Sequence, residues 1–113
     1  MLQLDQNPTI QNRLGLTSQE VANFCQRWGI IKLALFGSIL REDFRPDSDI
    51  DLLITLAPNA RQGLLTLAKI KHELESLLNR SIDLTSEASV QTSDNWIRQQ
   101  EILGTAQTIY EQR

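Results

Sequence analysis

The sequence predicts a small α/β domain, a short mixed β-sheet with helices packed mainly on one face. Three observations predict it. Two nearly unbroken apolar runs of strand length, Ile30 to Phe36 and Asp49 to Leu56, lie close together in the chain. A Gly37-Ser38 turn and a charged, proline-containing connection join them. Stripes of apolar residues at helical spacing flank the pair on both sides, around Val21 to Trp28 and Leu64 to Leu78. The chain has 113 residues, of which 41% are apolar and 22% charged. That length suffices for one real core and leaves none for a second, so residues 1–113 are read as a single domain.

The elements follow in order. Residues 1–16 are polar and aperiodic, with Pro8 and Gly15, and read as a loose N-terminal arm. Thr17 and Glu20 form a capping box ahead of Val21, Phe24, Cys25 and Trp28, and Gly29 sits at the C-cap position of that helix. The first strand, Ile30 to Phe36, ends at Gly37-Ser38, where Ser38 can cap a short helix through Leu40 and Arg41 that Pro46 stops from running on. The second strand is closed by Ala57-Pro58-Asn59, and a long helix runs from Gly63 to Asn79 on Leu64, Leu67, Ile70, Leu74, Leu77 and Leu78. Ser81 to Thr85 forms a third strand, with Ile82 and Leu84 on one face and Asp83 on the other. Residues 86–92 read as a loop. Ser93 or Asp94 then caps a last helix bearing Trp96, Ile97, Ile102 and Leu103, broken at Gly104. For Thr105 to Tyr110 the β-favouring Thr108, Ile109 and Tyr110 select an edge strand over continued helix.

The chemistry concentrates between residues 37 and 51. Residues two apart in a strand project to one side, so Asp49 and Asp51 point together while Ile50, Leu52 and Ile54 enter the core. Two carboxylates side by side repel unless a cation or protons relieve them. Asp83 joins them if its strand pairs with theirs. Oxygen-donor carboxylates in such a group suit Mg²⁺, and the chemistry that needs them is phosphoryl or nucleotidyl transfer. Glycine lets backbone approach a polyphosphate, and the amides opening the helix at Ser38 form an anion site, with Ser38 Oγ as a further donor.

Gly37-Ser38, ten residues, then Asp49-Ile50-Asp51 resembles the Gly-Ser…Asp-x-Asp motif of the DNA polymerase beta-like nucleotidyltransferase superfamily. The small size, Ile82-Asp83-Leu84 and the terminal Ile109-Tyr110-Glu111 look like its minimal nucleotidyltransferase (MNT) branch. Where members carry an Ala-Arg-Gly-Asp-like segment, this chain has Leu40-Arg41-Glu42-Asp43 and lacks the glycine. The resemblance implies a polymerase beta-like nucleotidyltransferase fold and an antitoxin paired with a small helical HEPN-type ribonuclease toxin. Such an antitoxin transfers AMP from ATP to a tyrosine of the toxin in a Mg²⁺-dependent reaction. It also implies roles: Gly37 and Ser38 hold the triphosphate, Asp49 and Asp51 ligate Mg²⁺, and Asp83 completes the metal site or deprotonates the acceptor. Arg41 becomes a phosphate or partner contact. Ser48, beside Asp49, is either a substrate contact or a turn-forming hydroxyl.

Other readings compete. The same motif can be a scaffold for a non-enzymatic antitoxin that occludes its toxin. A nucleotidyltransferase acting on a small molecule would ordinarily need an acceptor domain that 113 residues do not supply. His72 lies between Lys71 and Glu73 on a polar helix face and reads as solvent-facing. Cys25, Trp28 and Trp96 read as packing residues, with stacking on adenine an alternative for Trp96. A net charge of −3 argues against a broad nucleic-acid surface. The single cysteine, and the lack of a signal-peptide pattern or a membrane-length apolar run, lead to an expected cytoplasmic location.

Overall fold

The structure is a computed structural model that describes residues 4–61, 63–92 and 94–112. Its helices are α1 (Pro8–Leu14), α2 (Ser18–Trp28), α3 (Leu64–Leu78), α4 (Glu87–Gln91) and α5 (Trp96–Thr105). Its strands are β1 (Ile30–Phe36), β2 (Ile50–Leu56), β3 (Ile82–Ser86) and β4 (Gln107–Glu111). They form one four-stranded sheet in the order β3-β2-β1-β4. The β1–β2 and β1–β4 pairs are antiparallel and β2–β3 is parallel, so the sheet is mixed as expected. The parallel pair needs a crossover, which α3 supplies. β4 is the edge strand anticipated for the C-terminal segment, but it starts at Gln107, because α5 runs on through Gly104 to Thr105.

The sheet separates two cores of unequal size. Ile30, Leu33 and Leu35 of β1 and Ile50, Leu52 and Ile54 of β2 face α1, α2 and α3 in the larger one. Ala34, Phe36 and Leu53 face Val90 of α4 and Ile102 of α5 in the smaller one. Each fully buried Leu or Ile contributes about 1.5–3 kcal/mol relative to exposure, so the larger core dominates stability. The smaller face has less to bury and keeps room for a cleft.

The helix ends are set by local chemistry. Thr17 and Glu20 make the expected capping box at α2, and Gly29 closes it in a left-handed conformation. Asn79 does the same for α3 at φ 53°. Along α3, Ile70 and Leu74 are buried, whereas Leu64 and Leu77 of the expected stripe are exposed, at 85% and 51%. The stripe is therefore narrower than its sequence spacing suggested: Leu67 and Leu78 pack partly buried against the larger core, and Leu64 and Leu77 do not.

Four expectations are corrected. The N-terminal arm is not loose: Asn7 caps α1 through its side chain, and Leu4, Ile10, Leu14 and Leu16 are buried in the larger core. Residues 86–92 are not a loop, because Ser86 accepts a hydrogen bond from the Ser89 amide and starts α4. The cap of α5 is Asn95, whose Oδ1 accepts from the Arg98 amide at 3.1 Å, in place of Asp94; Ser93 lies outside the described residues. Trp96 does not pack, being 62% exposed. Cys25 is completely buried, and burial pushes its thiol up to about 12. Among the described residues, no helix is long and apolar enough to cross a membrane.

Candidate functional site

The site is built on the smaller-core face, where β1 ends and β2 begins. In the β1–β2 register Phe36 stands opposite Asp51, so the Gly37 turn comes down directly beside that carboxylate. Gly37 has φ 78°, a backbone region that residues with a Cβ adopt at a cost. A Cβ there would also run into the Asp51 carboxyl group. Glycine is thus required twice at one position, once by its own backbone and once by its neighbour. From Gly37 the chain enters a 3-10 turn, Gly37–Leu40, which anchors itself through the fully buried Ile39. Ser38 is the second residue of that turn and not its N-cap, which is Phe36.

Alternation along β2 does what the sequence required of it. Ile50, Leu52 and Ile54 are fully buried on the larger-core side, which turns Asp51 to the opposite face. The parallel register sets Asp51 against Asp83, so the pairing on which Asp83 depended is present. Asp49 immediately precedes β2 and is exposed, as is Asp83; Asp51 is half-buried.

A cleft of about 760 Å³ opens over this face. Gly37, Asp51 and Asp83 lie on its sheet wall, and Arg41 comes from just beyond the turn. α5 lines the cleft with Arg98, Glu101, Ile102 and Thr105, and Ile10 of α1 and Asn7, the cap of that helix, line it too. Burial holds the Asp51 carboxyl above the usual carboxylate range, and the charges of Asp83 and then Asp49 add to the effect. Arg41 and Arg98 pull it the other way. The three acids therefore share one field. Among the described residues no three acidic, His or Cys side chains close into a metal cage. A donor set of one or two carboxylates with open positions fits Mg²⁺, which keeps waters and takes substrate phosphates as its other ligands.

Of the residues singled out from the sequence, Gly37, Arg41, Asp51 and Asp83 line the cleft, whereas Ser38, Ser48 and Asp49 stand outside its lining. Arg41 is exposed and its Nε donates to Asp43 Oδ1 at 3.1 Å, which holds the Asp43 carboxyl below its usual range. Ser48 Oγ accepts from the Arg45 amide at 3.0 Å and so serves the turn. His72 is exposed on α3, as expected. Sequence reasoning missed Arg98, Glu101 and Thr105. Their spacing with Ile102 (i, i+3, i+4, i+7) marks one helix face, a signal that was present but not attached to any site.

A family model for the nucleotidyltransferase domain matches residues 19–103. The protein adenylyltransferase MntA of Thermococcus cleftensis is 30% identical over 67 residues, covering 59% of this chain and 66% of that protein. A candidate protein adenylyltransferase of Methanocaldococcus jannaschii is 32% identical over 62 residues, covering 55% and 64%. The match thus spans just under two thirds of the length of either relative. A solved structure of a candidate minimal nucleotidyltransferase superposes with a TM-score of 0.63 at 29% identity, over 94% of this chain and 95% of that one. A structure of a tri-AMPylated Shewanella oneidensis HEPN toxin with an MNT antitoxin contains the same fold. There the TM-score is 0.58 at 14% identity, over 90% of this chain and 72% of the other.

Proposed function

The chain belongs to the nucleotidyltransferase domain family, and on that premise we propose that it is an antitoxin protein adenylyltransferase. In this reading it transfers AMP from ATP to a tyrosine of a HEPN-type ribonuclease toxin with which it forms a hetero-oligomer. The observation that carries the reading is the seating of the Gly37 turn against Asp51, inside a cleft that also holds Asp83, Arg41 and Arg98. The relatives named above as protein adenylyltransferases, and the fold shared with a toxin-bound MNT antitoxin, support the choice of AMP and of a protein acceptor.

This reading assigns each residue of the site a role. The backbone at Gly37-Ser38 receives the triphosphate through the amides of the turn, while the space left by the missing Gly37 Cβ is taken by the Asp51 carboxyl group. Asp49 and Asp51 would hold Mg²⁺, which supplies charge neutralisation for the phosphates when bound. Asp83, exposed on the neighbouring strand, accepts the proton of the acceptor hydroxyl. The hydroxyl oxygen bonds to the α-phosphorus as the α–β bridging bond breaks, and pyrophosphate leaves. Arg41 and Arg98 bind its developing charge.

The test uses labelled ATP, Mg²⁺ and a HEPN-type partner. Label appears on the partner with the wild-type chain and disappears with Asp49→Ala combined with Asp51→Ala; transfer that survives the double substitution rules out the assigned site. A second reading, neutralisation by occlusion alone, is favoured by the exposed Trp96 and Ile97 on the helix that walls the cleft, at 62% and 63% exposure. Growth rescue of toxin-expressing cells separates the two. Full rescue by the double aspartate variant selects occlusion.

A further inference from the structure

The segment between the glycine turn and β2 carries the phosphate turn at one end and Asp49 at the other. Between them it has no strand or helix beyond the Gly37–Leu40 turn, and Arg41, Glu42, Asp43, Arg45, Pro46 and Asp47 are exposed. A connection of that kind is ordinarily the first part of a fold to move. Two arginines from distant parts of the chain hold it in place. Arg13, on α1, donates through Nη1 to the Ile39 carbonyl at 2.9 Å and to the Arg41 carbonyl at 2.7 Å, gripping the end of the phosphate turn. Arg80, just beyond α3, donates through Nη1 to the Ser48 carbonyl at 3.2 Å and the Arg45 carbonyl at 3.4 Å, gripping the approach to Asp49.

Phe44 joins the two grips. The Arg13 guanidinium lies 5.4 Å from the centre of its ring and the Arg80 guanidinium 4.6 Å, both within cation–π range. The ring also packs against the larger core. Neither arginine is among the residues that line the cleft. Guanidinium suits this duty better than ammonium, because a planar fork can donate to carbonyls while its face lies on a ring.

We propose that Arg13, Phe44 and Arg80 are positioning residues, a clasp that fixes the phosphate turn and Asp49 relative to one another; the catalytic part of this inference rests on the nucleotidyl-transfer reading above. The grips are separate, so their loss should be separable. Arg13→Gln frees the triphosphate end and should raise KM for ATP about tenfold with a smaller change in kcat. Arg80→Gln frees the Asp49 end and should lower kcat about tenfold with a smaller change in KM. Phe44→Leu keeps the apolar contact, removes the ring face and should shift both constants less.

Amide hydrogen exchange supplies a readout independent of activity. Exchange should rise across residues 37–49 in Arg13→Gln and Arg80→Gln while the amides of β1 and β2 stay protected. Unchanged exchange in that segment overturns the clasp. So do kinetic losses that merely follow the drop in melting temperature, without the KM-against-kcat split. If either glutamine variant fails to fold, the other variant and Phe44→Leu carry the exchange measurement, and unchanged exchange across residues 37–49 in both overturns the clasp. A wild-type chain that transfers no AMP, with exchange still rising in the variants, sinks the transfer reading and leaves the clasp standing.

Discussion

Gly37→Ala isolates the contact on which the site depends. Two costs are expected, and a second glycine separates them. Gly15, at φ 83°, has nearly the same backbone conformation as Gly37, but a Cβ there would meet nothing within 4 Å. Gly15→Ala therefore carries only the backbone cost, about 1–2 kcal/mol for an L-residue in the left-handed region. For a domain of this size that lowers the melting temperature by roughly 5–10 °C. Gly37→Ala carries the same cost and in addition forces its Cβ against the Asp51 carboxyl group, which has to swing aside. A displacement of about 1 Å at a reacting group costs on the order of a hundredfold in rate. The assay is transfer of labelled AMP at saturating ATP and Mg²⁺, with calorimetric melting of both variants. Gly37→Ala should lose activity at least about a hundredfold while Gly15→Ala keeps transfer within about threefold of wild type. Equal activity losses in both, or near-normal transfer by Gly37→Ala, would show that the Gly37–Asp51 contact does not control transfer.

Three further outcomes are expected. The folded protein holds the Asp51 proton to higher pH than the unfolded chain does, so its contribution to stability is present in acid. That contribution is lost as pH rises from the ordinary carboxylate range through the raised value. In Mg²⁺-free buffer, Asp51→Asn should melt higher than wild type above that window and lose this pH dependence; added Mg²⁺ should raise the melting temperature of wild type but not of the variant. Arg98→Gln removes one cation from the cleft and should raise KM for ATP about tenfold, equivalent to about 1.4 kcal/mol of a charge-assisted contact, leaving the melting temperature nearly unchanged. Cys25, buried with its thiol pushed up to about 12, should not react with a thiol reagent at pH 8 until the chain is unfolded.

Local periodicity and turn chemistry made much of this protein readable along the chain. The capping box at Thr17 and Glu20, the two central strands, and the projection of Asp51 away from Ile50, Leu52 and Ile54 were all legible, because side-chain direction along a strand or helix is fixed by spacing alone. Spacing also linked Gly37-Ser38 to Asp49 and Asp51. What spacing cannot report is which segments meet. The alignment of Asp83 with Asp51 depends on β3 joining β2 in parallel at one register. The polar N-terminal residues become an ordered helix only because Leu4, Ile10, Leu14 and Leu16 find the larger core, a gain invisible in a segment without clear periodicity. Arg98 enters the cleft because α5 crosses the smaller face, and Arg13 and Arg80, 67 positions apart, meet around Phe44 through contacts that no local pattern encodes. One short stretch of chain carries the Gly37 turn and Asp51, and the residues that surround them in the cleft come from distant segments that no local pattern brings together.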